Sequence, residues 1–156
     1  MLYLMITLGI VACSRQPKYT PPARLGSDVV IEISKLNEGF PSFFTYQMNG
    51  KNISFFVVKI GNTVTSFLDA CNACYPHKLG YKYENGMIIC LYCREKYSMD
   101  ELAAGYGNCH PIKLPGRIQD GKYLIAVSSL EKNASKFWKV AFVLLLCSHA
   151  YATMAS

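Results

Sequence analysis

The stretch FFTYQMNGKNISFFVVKIGNTVTSFL, residues 43–68, decides the fold class. Runs rich in aromatic and β-branched residues are broken by Asn49-Gly50 and Gly61-Asn62, a pattern that reads as antiparallel strands joined by tight turns. Asn-Gly is the stronger turn signal, because both residues tolerate the positive φ that a type I′ hairpin demands. The expected strands are 43–48, 53–60 and 63–68, forming a three-stranded meander whose aromatic and β-branched side chains cover one core face.

Working outward, VVIEI (29–33) upstream and YLIAV (123–127) downstream read as further strands. Asp69 leads into the first of two C-x-x-C pairs, Cys71/Cys74, and Cys90/Cys93 form the second. Between the pairs, residues 81–83, Asn85-Gly86 and residues 87–89 spell another hairpin, which reverses the chain so that the pairs face one another. Ser98-x-x-Glu101 predicts a capping box opening a short helix over 99–104, with Gly105 as its stop. The fold class is therefore mainly β, a small α+β domain: a β-meander with a four-cysteine metal-binding knuckle lobe and a short helix.

C-x2-C-x15-C-x2-C is a metal-site pattern, because a two-residue gap lets both sulfurs of a knuckle reach one ion. Cys71, Cys74, Cys90 and Cys93 are the expected metal ligands. Zinc would give a closed tetrahedral structural site, whereas iron, single or in a cluster, could carry an electron. Spacing leaves these metals open, and an oxidising compartment would also permit each pair to close as a disulfide or act as a dithiol. Haem attachment is disfavoured, because no histidine directly follows Cys74, and the second pair lacks the nearby histidine that a Rieske centre needs. Cys109, in Cys109-His110-Pro111, is expected to support or supplement the site, while His77 and His110 read as exposed loop histidines.

At the N-terminus, an apolar stretch ends at Ile10-Val11-Ala12-Cys13, which resembles a lipobox, so Cys13 is the candidate lipidation site. The apolar run is too short to cross a bilayer, which takes about 20 residues, but suits a signal-peptide core. The chain then divides into a lipoprotein-like signal segment (1–13), a flexible tether (14–27), the cysteine-rich domain (28–131) and an apolar tail (132–156). That tail reads either as a helix, opened by a capping box at Ser128-x-x-Glu131, or as a signal-peptide-like segment with Ala150-Tyr151-Ala152; Cys147 and His149 within it are not expected to be ligands.

The 156 residues suit one domain, and 51% hydrophobic with 17% charged residues describes a globular chain. A net charge of +6 raises nucleic acid as a partner, but the basic residues are scattered singly, which argues against it and leaves an anionic membrane or an acidic redox partner. No nucleophile–base pair or phosphate loop is visible, so the residues point to no substrate-level catalysis.

FFVVK (55–59), LDACNAC (68–74), Gly80, IICLYC (88–93) and GNCHPI (107–112), taken in order, resemble the membrane iron–sulfur proteins of the FtrD-like family across about residues 29–131. The resemblance implies a bacterial, exported, membrane-anchored domain facing the periplasm or cell exterior. It further implies that Cys71, Cys74, Cys90, Cys93 and Cys109 hold an iron–sulfur cluster or a single iron bound by four cysteines, and that electrons pass to a redox partner or iron permease complex in an iron-uptake system. A zinc-stabilised extracytoplasmic binding domain of a transporter complex and a disulfide or dithiol redox protein are the alternatives.

Overall fold

The computed structural model describes residues 17–105, 107 and 109–137. Cys13, with its lipidation expectation, and most of the apolar tail, with Cys147 and His149, lie outside the described residues.

Three antiparallel sheets make up the described chain. The central one joins β3 (Ser42–Met48), β4 (Lys51–Ile60) and β5 (Thr63–Cys71), the expected meander, to a fourth strand, β9 (Pro111–Leu114). Its first turn is the Asn-Gly turn expected, with φ of 48° at Asn49 and 72° at Gly50. A second sheet runs β1-β2-β11-β10, from β1 (Ala23–Leu25), β2 (Asp28–Glu32), β10 (Arg117–Gln119) and β11 (Lys122–Ala126). The third is the cysteine hairpin, β6 (Tyr81–Glu84) and β7 (Met87–Cys90), extended by β8 (Lys96–Tyr97).

The central sheet is buried on both faces, where the sequence suggested one. Phe55 and Val57 of β4 enter a core shared with Val29 and Ile31 of β2 and Tyr123 and Ile125 of β11. Phe56 and Val58 point the other way, into a core shared with Tyr81, Ile88, Tyr97 and the buried cysteines. The unbroken apolar run FFVV is the cause, since a strand with only one buried face would alternate apolar with polar. Cross-strand aromatic pairs follow from the register. Phe44 stacks on Phe55 and Phe56 on Phe67, each at 5.4 Å between centroids.

Other departures are local. Part of the expected tether is structured: β1 pairs with β2, and Thr20 bridges to Phe44, because their backbone groups find partners on sheet edges. The capping box at Ser98–Glu101 forms and opens α1 (Met99–Ala104), closed by Gly105 at φ 81°. Its counterpart at Ser128 does not. The helix there, α2 (Val127–Glu131), follows β11 directly with Ala126 at its cap, so Ser128 already sits inside the first turn. A short 3-10 turn, Ala134–Phe137, comes after it.

Candidate metal centre

Cys71 closes β5, and the chain turns so that the Cys74 N–H donates to the Cys71 Sγ at 3.0 Å. A single 3-10 turn over Tyr75–His77 follows and ends in left-handed Lys78 at φ 57°. Cys90 closes β7 opposite Tyr81, so the hairpin sets the second knuckle beside the first. The N–H of Leu91 donates to the Gly80 carbonyl at 2.9 Å, tying the two loops together. Arg94, at φ 68°, turns the chain back, and the Cys90 N–H donates to the Glu95 carbonyl.

Cys109 arrives from a third direction and is clamped by two tyrosines. The Tyr81 hydroxyl donates to its carbonyl at 2.6 Å, and its N–H donates to the Tyr97 hydroxyl at 3.1 Å. Gly107 lets the loop pass: a Cβ there would lie 2.6 Å from the Tyr97 ring.

The sulfurs of Cys74, Cys90, Cys93 and Cys109 all lie within 4.8 Å of one another. Cys71 stands against this group, its Sγ 2.9 Å from that of Cys109, which in turn is 3.4 Å from the Cys74 Sγ. The structure thus brings all five expected cysteines together, with Cys109 rather than Cys71 in the mutually close set. Cys71, Cys90 and Cys109 are 2–3% exposed, whereas Cys93 is open to solvent. The rings of His77, in the turn after the first knuckle, and Tyr92, inside the second, stack with centroids 3.4 Å apart and nearly parallel.

The protons are unevenly shared. Burial opposes ionisation of Cys71, yet the Cys109 thiol and the N–H groups of Cys74 and Ala73 outweigh it and hold its pKa below the ordinary thiol value. Cys93 is lowered in the same way, burial being outweighed by the Glu95 N–H and neighbouring thiols. Cys74 is pushed up to about 12, chiefly by burial. Cys109 is pushed up by burial and then by donating toward all four other sulfurs, so its thiol is the hub that keeps its proton.

His110 is not the exposed loop residue expected. It is half-buried, and each ring nitrogen lies 2.9 Å from a backbone carbonyl, Nδ1 at Pro111 and Nε2 at Leu102, which turns it away from the sulfurs. His77 is exposed, as expected.

A support that no motif announces sits behind the first knuckle. Buried Asp69 accepts from the Tyr19 hydroxyl at 2.6 Å and from the Tyr81 N–H at 2.7 Å. Burial raises its carboxyl to about 6, against the lowering pull of those two donors. No motif marks Tyr19, Tyr81 or Tyr97 in the sequence; an isolated acid beside the first cysteine pair is the one signal that could have found Asp69.

The donor set fits a soft metal. At a metal–sulfur distance of about 2.3 Å, the sulfurs around one tetrahedral ion lie roughly 3.8 Å apart. Four thiols gathered within 4.8 Å, with no carboxylate among them, match that demand.

Residues 36–137 match the family described as "Membrane iron-sulfur containing protein FtrD-like". Among solved structures, the ferredoxin of carbazole 1,9a-dioxygenase from Nocardioides aromaticivorans IC177 is similar at 16% identity, covering 69% of this chain and 98% of its own, with a TM-score of 0.41. No curated protein matches the chain significantly.

Proposed function

We propose that this chain, which belongs to the FtrD-like family of membrane iron–sulfur containing proteins, holds iron in its thiol cluster and serves as an electron-transfer module. The observation that carries this reading is the convergence of Cys74, Cys90, Cys93 and Cys109 within 4.8 Å, and these four are the proposed ligands of a single iron. Iron in such a thiolate cage supplies one-electron chemistry when bound.

The protein's own residues account for the rest. Tyr81 and Tyr97 fix the Cys109 backbone, and Asp69 fixes the start of β6, so the cage keeps its shape without rearranging. Buried Cys90 keeps water from the inner side. Cys93 and the His77–Tyr92 stack form the exposed edge through which a partner comes within reach. The partner is a redox protein or permease complex at the membrane of a bacterium, on the exported side, and the pathway served is iron uptake. Among the described residues no helix is long and apolar enough to cross a membrane. A lipid on Cys13 is the anchor we assign.

The tetrahedral thiol set also suits zinc, which would make the same lobe a structural staple of a binding domain. The full chain, purified anaerobically, distinguishes the two: a visible absorption band that bleaches with a reductant and returns on reoxidation is expected. A colourless protein with stoichiometric zinc overturns the electron-transfer reading.

A further inference from the structure

Five sulfurs meet where four ligands complete a tetrahedral ion, and the geometry says which one is left over. Cys71 is outside the mutually close group, but its Sγ lies 2.9 Å from that of Cys109, closer than the 3.4 Å between Cys109 and Cys74. That is less than about 1 Å beyond the ~2.05 Å of a covalent S–S bond. Both side chains are buried, and both backbones are fixed. Cys71 pairs with Pro111 across β5 and β9, two residues from Cys109, and the tyrosine clamp holds the Cys109 carbonyl and N–H.

We infer that Cys71 and Cys109 form a reversible disulfide in the metal-free protein, and that this bond and the metal exclude one another because both use the Cys109 sulfur. The assignment of Cys109 as a ligand rests on the function proposed above; the disulfide itself does not.

The oxidant is a small disulfide, such as oxidised glutathione. Because Cys71 is 2% exposed in the closed lobe, the metal-free knuckles must part to admit the oxidant; the Cys71 thiolate then attacks one of its sulfurs and expels one thiolate, leaving a mixed disulfide on Cys71. Cys109, losing its proton, then displaces the second small thiol and closes the Cys71–Cys109 bond. One disulfide has been exchanged for another, two protein thiols have given up two protons and two electrons, and two molecules of the small thiol leave. A dithiol reductant reverses the sequence and restores the fourth ligand. The domain would therefore accept metal only while a dithiol reductant keeps this pair reduced, and metal once bound protects it from closing.

The test uses the full chain. It is stripped of metal with a chelator under reducing, anaerobic conditions, treated with oxidised glutathione, digested without reduction and mapped by mass spectrometry. The expected product is a cross-link between the peptide of Cys71 and that of Cys109, with at least tenfold less metal taken up on reloading until dithiothreitol is added. Metal-loaded protein should resist the cross-link. Cys71→Ser should keep its full metal content yet lose both the cross-link and the oxidative block, whereas Cys109→Ser should lose metal and cross-link together. Cross-links within Cys71/Cys74 or Cys90/Cys93, no cross-link at all, or loss of metal in Cys71→Ser would overturn the inference. The mapping on the unaltered chain stands even if a variant fails to fold. A chain that binds only zinc defeats the electron-transfer reading while leaving this result intact.

Discussion

The Cys109 carbonyl and N–H each depend on one tyrosine hydroxyl. Tyr81→Phe strips the carbonyl of its donor while leaving the ring in the core, so a buried acceptor goes unsatisfied at a cost of about 1–3 kcal/mol. Equilibrium denaturation should show that loss, and a chelator should remove metal from the variant several-fold faster; unchanged release would separate the clamp from the metal site. Gly80 is a second point of sensitivity. Its φ is 69°, and an added Cβ would collide with the Asp69 carboxylate, so Gly80→Ala should destabilise by at least about 1 kcal/mol in the same assay. Asp69 itself carries a pH signature. Its folded pKa, about 6, lies above its unfolded value of 3.8, so the folded protein binds the extra proton. Stability from this group is then full below the unfolded value and is lost as pH rises through about 6, an effect on the order of 2–3 kcal/mol. Between these values stability should fall less, or rise more, with pH in Asp69→Asn than in the unaltered chain.

At the scale of elements, β4 is the strand on which both cores depend. Truncating either neighbour, Phe55→Ala or Phe56→Ala, should cost about 3–5 kcal/mol, since each side chain is fully buried. The two should differ in where the damage falls: Phe56 packs on Tyr81, 6.2 Å between centroids, and so on the cysteine lobe, whereas Phe55 faces the second sheet. Hydrogen exchange should therefore rise over residues 71–110 for Phe56→Ala and over β2 and β11 for Phe55→Ala; the same pattern in both variants would refute the two-core division. The meander, the cysteine hairpin and α1 were legible because each carries its own local chemistry, in Asn49-Gly50, Asn85-Gly86 and the Ser98–Glu101 box. β1, β8 and β10 were not. They span two or three residues and β1 and β10 are exposed throughout, so no apolar alternation marks them, although Asp120-Gly121, at φ 50° and 71°, closes the β10–β11 turn with the same chemistry as Asn49-Gly50. The Ser128 box failed for the complementary reason: β11 holds the chain extended to Ala126, and the helix begins before Ser128 can act as a cap.

Across the whole molecule, a central sheet holds an outer sheet on one face and a thiol-rich lobe on the other. The paired C-x-x-C motifs made the lobe readable in advance, because knuckle spacing is a local property. The place of Cys109 at the hub, and of Cys71 at its side, depends on β5 meeting β9 across nearly 40 residues of chain, which local spacing does not encode. X-ray absorption at the iron edge, on the full chain purified anaerobically, decides whether four thiolates of this lobe hold iron. We expect about one iron per chain surrounded by four sulfurs at roughly 2.3 Å with no light ligand; nitrogen or oxygen neighbours, or iron absent and zinc in its place, would overturn that assignment.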